Sequence, residues 1–182
     1  MDSITTAAQR IKAPGFAALA WLVALAAWIS MDVANATWGW TRPAEAAYVL
    51  VTLAVPTAAV LLVVAQVHLA RTLGGLGWVS GVGTGVTALG GAVGLVAWAV
   101  PVWATLIAIG MLLFGVPMLV HGRVPRVPGL GITLAFVPTA LVGLAGFAET
   151  WISVPLAVST LVLALGLRAL GQWVATYDDV RS

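Results

Sequence analysis

Residues 76–100, LGWVSGVGTGVTALGGAVGLVAWAV, carry no charged side chain. At ~1.5 Å per residue the run is long enough, as an α-helix, to cross a hydrocarbon layer of ~30 Å. On a wheel of ~100° per residue, Gly77, Ser80, Gly81, Thr84, Gly85, Thr87, Ala88, Gly91, Ala92 and Gly94 share one half, and Val79, Val82, Val86, Leu89, Val93 and Val96 share the other. In lipid, helices associate through close van der Waals contact, and a face of small residues lets two backbones approach. Gly77, Gly81 and Gly85 form two overlapping G-x-x-x-G steps, with Gly91 and Gly94 on the same half. This reading makes the segment the packing centre of a helix bundle, with Gly81 and Gly85 as its contact points.

Composition extends the argument to the whole chain. Its 182 residues are 62% hydrophobic and 8% charged, with a mean hydropathy of +1.08. Soluble domains carry ~25% charged residues, so a soluble domain is excluded and the lipid bilayer becomes the first partner. The apolar runs are continuous and do not alternate every second residue, which selects helices over a barrel. The fold class expected is all-α: a six-span transmembrane bundle over residues 14–171, flanked by short tails at 1–13 and 172–182. The absence of cysteine removes disulfides, thiolate metal ligands and cysteine nucleophiles. The pI near 9.7 arises from only 8 basic against 6 acidic residues, too thin a positive footprint for a nucleic-acid partner.

The expected spans follow in order. The first runs from Pro14, set in its first turn, to Met31, and a loop from Asp32 to Pro43 carries Trp38 and Trp40. The second runs from Glu45 to His68 and contains Pro56; the third is the small-residue helix. The fourth covers Trp103 to Val120 and contains Pro117, and a basic loop, HGRVPRVPG, follows it. The fifth covers Leu130 to Ala148 around Pro138, and the sixth covers Trp151 to Leu170.

With a cytoplasmic amino terminus, Arg10, Lys12, Arg71, Arg123, Arg126, Arg168 and Arg181 lie inside and Arg42 alone lies outside. That asymmetry obeys the positive-inside rule and places both termini in the cytoplasm. Trp28, Trp38, Trp40, Trp98, Trp103 and Trp151 gather toward the outer face, as an anchoring aromatic belt or, alternatively, as an outer platform for a ligand. A competing reading takes Arg10, Lys12, the first apolar run and Ala34-Asn35-Ala36 as a cleaved secretory signal, although the apolar run exceeds the usual ~7 to 15 residues. Asn35-Ala36-Thr37 also matches the glycosylation sequon of eukaryotic secretory proteins.

Few residues carry chemistry. No carboxylate pair lies within the spans, so no catalytic residue is assigned and no enzymatic activity is expected. The Gly74 to Gly85 cluster is not followed by the Lys and Ser/Thr of a phosphate-binding loop and does not follow a strand. His68 and His121 both fall at inner span ends, an arrangement that would suit a haem or metal ligand pair but is commoner as solvated interfacial histidine. No cofactor or metal is assigned on that basis. Val55-Pro56-Thr57-Ala58 recurs as Val137-Pro138-Thr139-Ala140, each near the middle of a span. In an inverted three-plus-three repeat the two prolines would free backbone carbonyls at a shared substrate site formed by Pro56, Thr57, Pro138 and Thr139. Simple helix kinking explains the same residues.

The Ala/Val/Leu/Gly-rich spans, arginine in place of lysine, and the phrase His121-Gly122-Arg123-Val124-Pro125-Arg126 resemble small multi-spanning membrane proteins of high-GC bacteria. The resemblance implies a bacterial cytoplasmic membrane and carries no functional residues with it. The function expected is that of a non-enzymatic accessory or scaffold protein that packs with itself or with another membrane protein. A small transporter or channel is the alternative, and a haem or metal subunit a third.

Overall fold

The computed structural model describes residues 2–39, 42–95, 100–121, 124–144 and 153–179. The chain forms helices α1 (Asp2–Trp38), α2 (Arg42–Thr72), α3 (Gly77–Val93), α4 (Val100–Val120), α5 (Arg126–Leu134), α6 (Val137–Leu144) and α7 (Ser153–Asp179). No strand occurs among the described residues. Among the described residues, four stretches are long and apolar enough to cross a membrane: Ala13–Trp38, Arg42–Thr72, Val102–Val120 and Val154–Val174. The third expected span comes out shorter, and the fifth is interrupted. α3 has 17 residues, about 25 Å at ~1.5 Å each, and the fifth is split into helices of 9 and 8 residues.

The start of α3 and the interruption of the fifth span have local causes. α2 stops in a Schellman motif: the Gly75 amide donates to the Ala70 carbonyl at 2.8 Å and the Gly74 amide to the Arg71 carbonyl at 3.2 Å. Gly74, Gly75 and Gly77 all take positive φ, at 79°, 89° and 80°. Only glycine adopts that region cheaply, so α3 starts no earlier than Gly77. The split of the fifth span precedes Pro138, which has no amide to donate to the Leu134 carbonyl and whose ring crowds it. The helix tightens there, with the Ala135 amide on the Ile132 carbonyl at 3.4 Å, and restarts with the Ala140 amide on the Phe136 carbonyl at 3.0 Å.

Pro56 leaves α2 continuous. The Thr57 hydroxyl donates to the Leu53 carbonyl at 2.7 Å, beside the Thr52 carbonyl that Pro56 deprives of its amide donor.

Other boundaries shift as well. Pro14 lies well inside α1 and not in its first turn, because the backbone assigned to the amino-terminal tail is helical from Asp2. Residues 32–38, expected as loop, complete α1, and α7 runs on through residues expected as the carboxyl-terminal tail.

α1 packs along α2 and α7, α3 along α4 and more lightly along α2, and α5 and α6 close the bundle against α4 and α7. The interior is filled by Trp21, Leu62, Trp103, Ile107, Met111, Phe114, Phe136 and Leu163, all fully buried. The outer faces are equally apolar, with Leu53, Val60, Leu141 and Leu165 more than half exposed. Helices apolar on both their buried and exposed sides are those of a bilayer-embedded bundle.

Candidate functional site

α3 organises its neighbours through a different set of glycines from the one its spacing suggests. Ser80, Gly83, Thr87, Gly90, Gly91 and Gly94 are buried, whereas Gly77, Gly81 and Gly85 are exposed. A Cβ built on Gly83 would lie 2.6 Å from the Phe114 nitrogen and 2.7 Å from the Gly110 carbonyl oxygen. The backbones of α3 and α4 therefore touch at Gly83 and Gly110. One built on Gly90 would meet Ile107 at 2.8 Å, and one on Gly94 would meet Val55 of α2 at the same distance. Gly91 abuts Ala59. At Gly81 and Gly85 an added Cβ meets nothing within 4 Å. The expectation that these two are contact points inside the bundle is thus corrected: only Gly91 and Gly94 of the five singled-out glycines serve there. The small half of the wheel straddles the boundary between interior and exterior.

A polar node sits where α2, α3 and α4 meet. Gln66 is 1% exposed. Its amide nitrogen lies 3.3 Å from Thr87 Oγ1 and 3.3 Å from Met111 Sδ, while Thr87 donates to the Gly83 carbonyl at 3.0 Å. The Gln66 carbonyl oxygen is buried without a hydrogen-bond partner, a costly arrangement in an apolar interior. Within the apolar run of α2 a lone glutamine stands out, so this node was legible; its partners were not.

An aromatic core lies where α1, α4 and the α5–α6 break converge. Trp21 and Phe136 rings are 4.9 Å apart, Trp103 and Phe136 rings 6.3 Å apart. The break before Pro138 is what admits Phe136 to this position. Trp21, Trp103 and Thr160 line a cavity of about 10 Å³, the size that holds one water molecule. Both indole nitrogens are buried with no acceptor from the protein. Trp103, expected in an interfacial belt, is a core residue at 1% exposure. Trp28 is likewise buried, and its indole donates to Asp32 Oδ2 at 3.1 Å. Trp38 is exposed as an anchor should be; Trp40, Trp98 and Trp151 lie outside the described residues.

The two-proline site is not assembled. Thr57 is exposed and bonds only within its own helix, whereas Thr139 is buried and shares a 2.7 Å hydrogen bond with Ser159 of α7. Pro56 is half-buried on α2 and Pro138 exposed on α6, helices with no extensive mutual packing. The identical tetrapeptides therefore occupy unrelated environments. His68 is half-buried on α2, while His121 is exposed at the end of α4, its Nδ1 2.7 Å from the Pro117 carbonyl oxygen. No cluster of three or more potential metal ligands occurs among the described residues.

The exposed stripe on α3 remains: Gly77, Gly81 and Gly85 continued by exposed Ala88 and Ala92. Beside it an open groove of about 530 Å³ runs along the α2–α3 seam, bordered by Val67, Arg71, Gly77, Gly81 and Thr84. No family model matches the chain, nor does any curated protein or solved structure.

Proposed function

We propose that this protein is a non-enzymatic accessory or scaffold component of a bacterial cytoplasmic membrane, which associates laterally through the outward stripe of α3. In this reading α1, α2, α3, α4, the α5–α6 pair and α7 make six crossings, with both termini cytoplasmic. Orientation rests on the arginine asymmetry. The non-enzymatic assignment rests on the lack of paired carboxylates or nucleophile–base sets in the sequence.

The observation that carries the proposal is the exposure of Gly77, Gly81 and Gly85 at G-x-x-x-G spacing, with open space where side chains would stand. A second helix laid on this stripe could approach α3 backbone to backbone, the geometry that drives association in lipid where water no longer does. The partner is a second copy of the chain or a helix of another membrane protein.

Sedimentation of the purified protein in a mild, density-matched detergent tests this. A dimer or larger species is expected, and Gly81→Leu and Gly85→Leu are expected to return it to a monomer with unchanged helix content. A wild-type monomer that also recovers no partner by cross-linking in its native membrane overturns the proposal, as does an oligomer indifferent to both substitutions.

A further inference from the structure

The groove between α1 and α7 joins an apolar channel to a cation that has no acidic partner among the described residues. It encloses about 490 Å³ and is bordered by Gly15, Ala18 and Leu22 of α1 and by Leu161, Leu165 and Arg168 of α7. The two helices run antiparallel here, in the register that also sets Trp28 and Leu156 around one cavity. Gly15 therefore stands at the Arg168 end and Leu22 at the Leu161 end.

Arg168 is exposed, yet it lies six residues inside the end of the Val154–Val174 stretch, about 9 Å at ~1.5 Å per residue. A charged side chain on a lipid-facing surface at that depth is unfavourable unless it finds an anion or reaches the interface. The groove lining holds no acidic side chain, and none of the described residues forms an ion pair with Arg168. Arg10 and Lys12 precede Gly15 in the sequence, so the same end of α1 is basic.

We propose that the α1–α7 groove is a site for an anionic phospholipid, with the lipid phosphate on the Arg168 guanidinium and an acyl chain along Leu22, Leu161 and Leu165. The guanidinium fork matches two phosphate oxygens, and basic pockets between spanning helices select anionic headgroups. Gly15 leaves the groove open at the headgroup end, since a Cβ there would meet nothing within 4 Å. The site uses other helices than the α3 stripe, so it stands or falls independently of lateral assembly.

The test is retention of labelled phosphatidylglycerol against labelled phosphatidylcholine by the full-length protein in mixed micelles. Phosphatidylglycerol is expected to bind about fivefold more tightly, the preference that a contribution of ~1 kcal/mol per interfacial cation gives. Arg168→Gln should abolish the preference, with helix content by circular dichroism verifying its fold. Arg126→Gln, which removes an exposed cation outside the groove, should keep it. Gly15→Leu, which fills the groove without touching Arg168, should weaken both lipids. Equal binding of the two lipids by the wild type overturns the proposal. So does an equal loss in Arg168→Gln and Arg126→Gln, which reports diffuse surface charge, or full retention in Gly15→Leu.

Discussion

Gly83→Ala and Gly81→Ala add the same methyl group to the same helix two residues apart, and the structure assigns them opposite consequences. At Gly83 the methyl meets the backbone of α4: 2.6 Å to the Phe114 nitrogen, 2.7 Å to the Gly110 oxygen and 2.9 Å to the Leu113 carbonyl carbon. Backbone atoms cannot rotate away as a side chain would, so the two helices must separate by about 1 Å to restore ordinary contact. A gap of that size forfeits a quarter to a half of each ~0.1 to 0.2 kcal/mol contact, and over on the order of 40 atom pairs along the seam this amounts to ~2 kcal/mol. The figure lies within the ~1 to 3 kcal/mol found for overpacked interiors. At Gly81 nothing lies within 4 Å, and the substitution gains up to ~1 kcal/mol of helix propensity. Reversible unfolding by SDS titration in mixed micelles, followed by tryptophan fluorescence at a dilution where the wild type is monomeric, measures both. Gly83→Ala is expected to lose ~2 kcal/mol and Gly81→Ala to lose nothing. Equal costs at the two positions would refute the assigned rotation of α3, and a larger cost at Gly81 would restore the packing inferred from G-x-x-x-G spacing alone.

Three further outcomes are expected. Thr139→Val should cost ~0.6 kcal/mol and no more than ~1.7 kcal/mol, the range of interhelical hydrogen bonds in membranes, because it removes the bond to Ser159; Thr57→Val, on an exposed hydroxyl bonded within its own helix, should cost less than half as much in the same titration. Trp21→Phe keeps a ring against Phe136 and removes an indole nitrogen that lacks a protein acceptor, so it should cost at most ~2 kcal/mol, against ~3 to 5 kcal/mol for Trp21→Ala. Reporter fusions after Ser182 and at Thr37 should report cytoplasmic and external positions respectively; an external carboxyl terminus would end the six-crossing reading, and a mature chain beginning near Thr37 would mean that the first span is a cleaved signal.

The sequence by itself determined the class of the protein and the stop that separates α2 from α3. A chain this apolar has no soluble solution, and uninterrupted apolar runs require every backbone amide to be bonded within a helix. Gly74-Gly75 specifies a left-handed stop to α2 because any Cβ there is strained, whereas proline alone does not specify a break, since the same missing amide leaves α2 continuous at Pro56 and accompanies an interrupted helix at Pro138. What only the tertiary structure decided is which way each helix faces. In a soluble protein the contrast between water and core writes that direction into the pattern of residues. Here Val60 faces outward and Leu62 inward on the same helix, and hydrocarbon meets either side chain on equal terms. α3 shows the consequence most clearly, since small residues occupy arcs facing both inward and outward, and only the backbones of Gly83 and Gly110 in contact fix its rotation. The two Val-Pro-Thr-Ala segments show it again: one lies within an unbroken α2 with its threonine exposed, the other follows a break that sends Phe136 between Trp21 and Trp103. Their environments differ because neighbouring helices, not local sequence, supply the contacts that distinguish one apolar face from another.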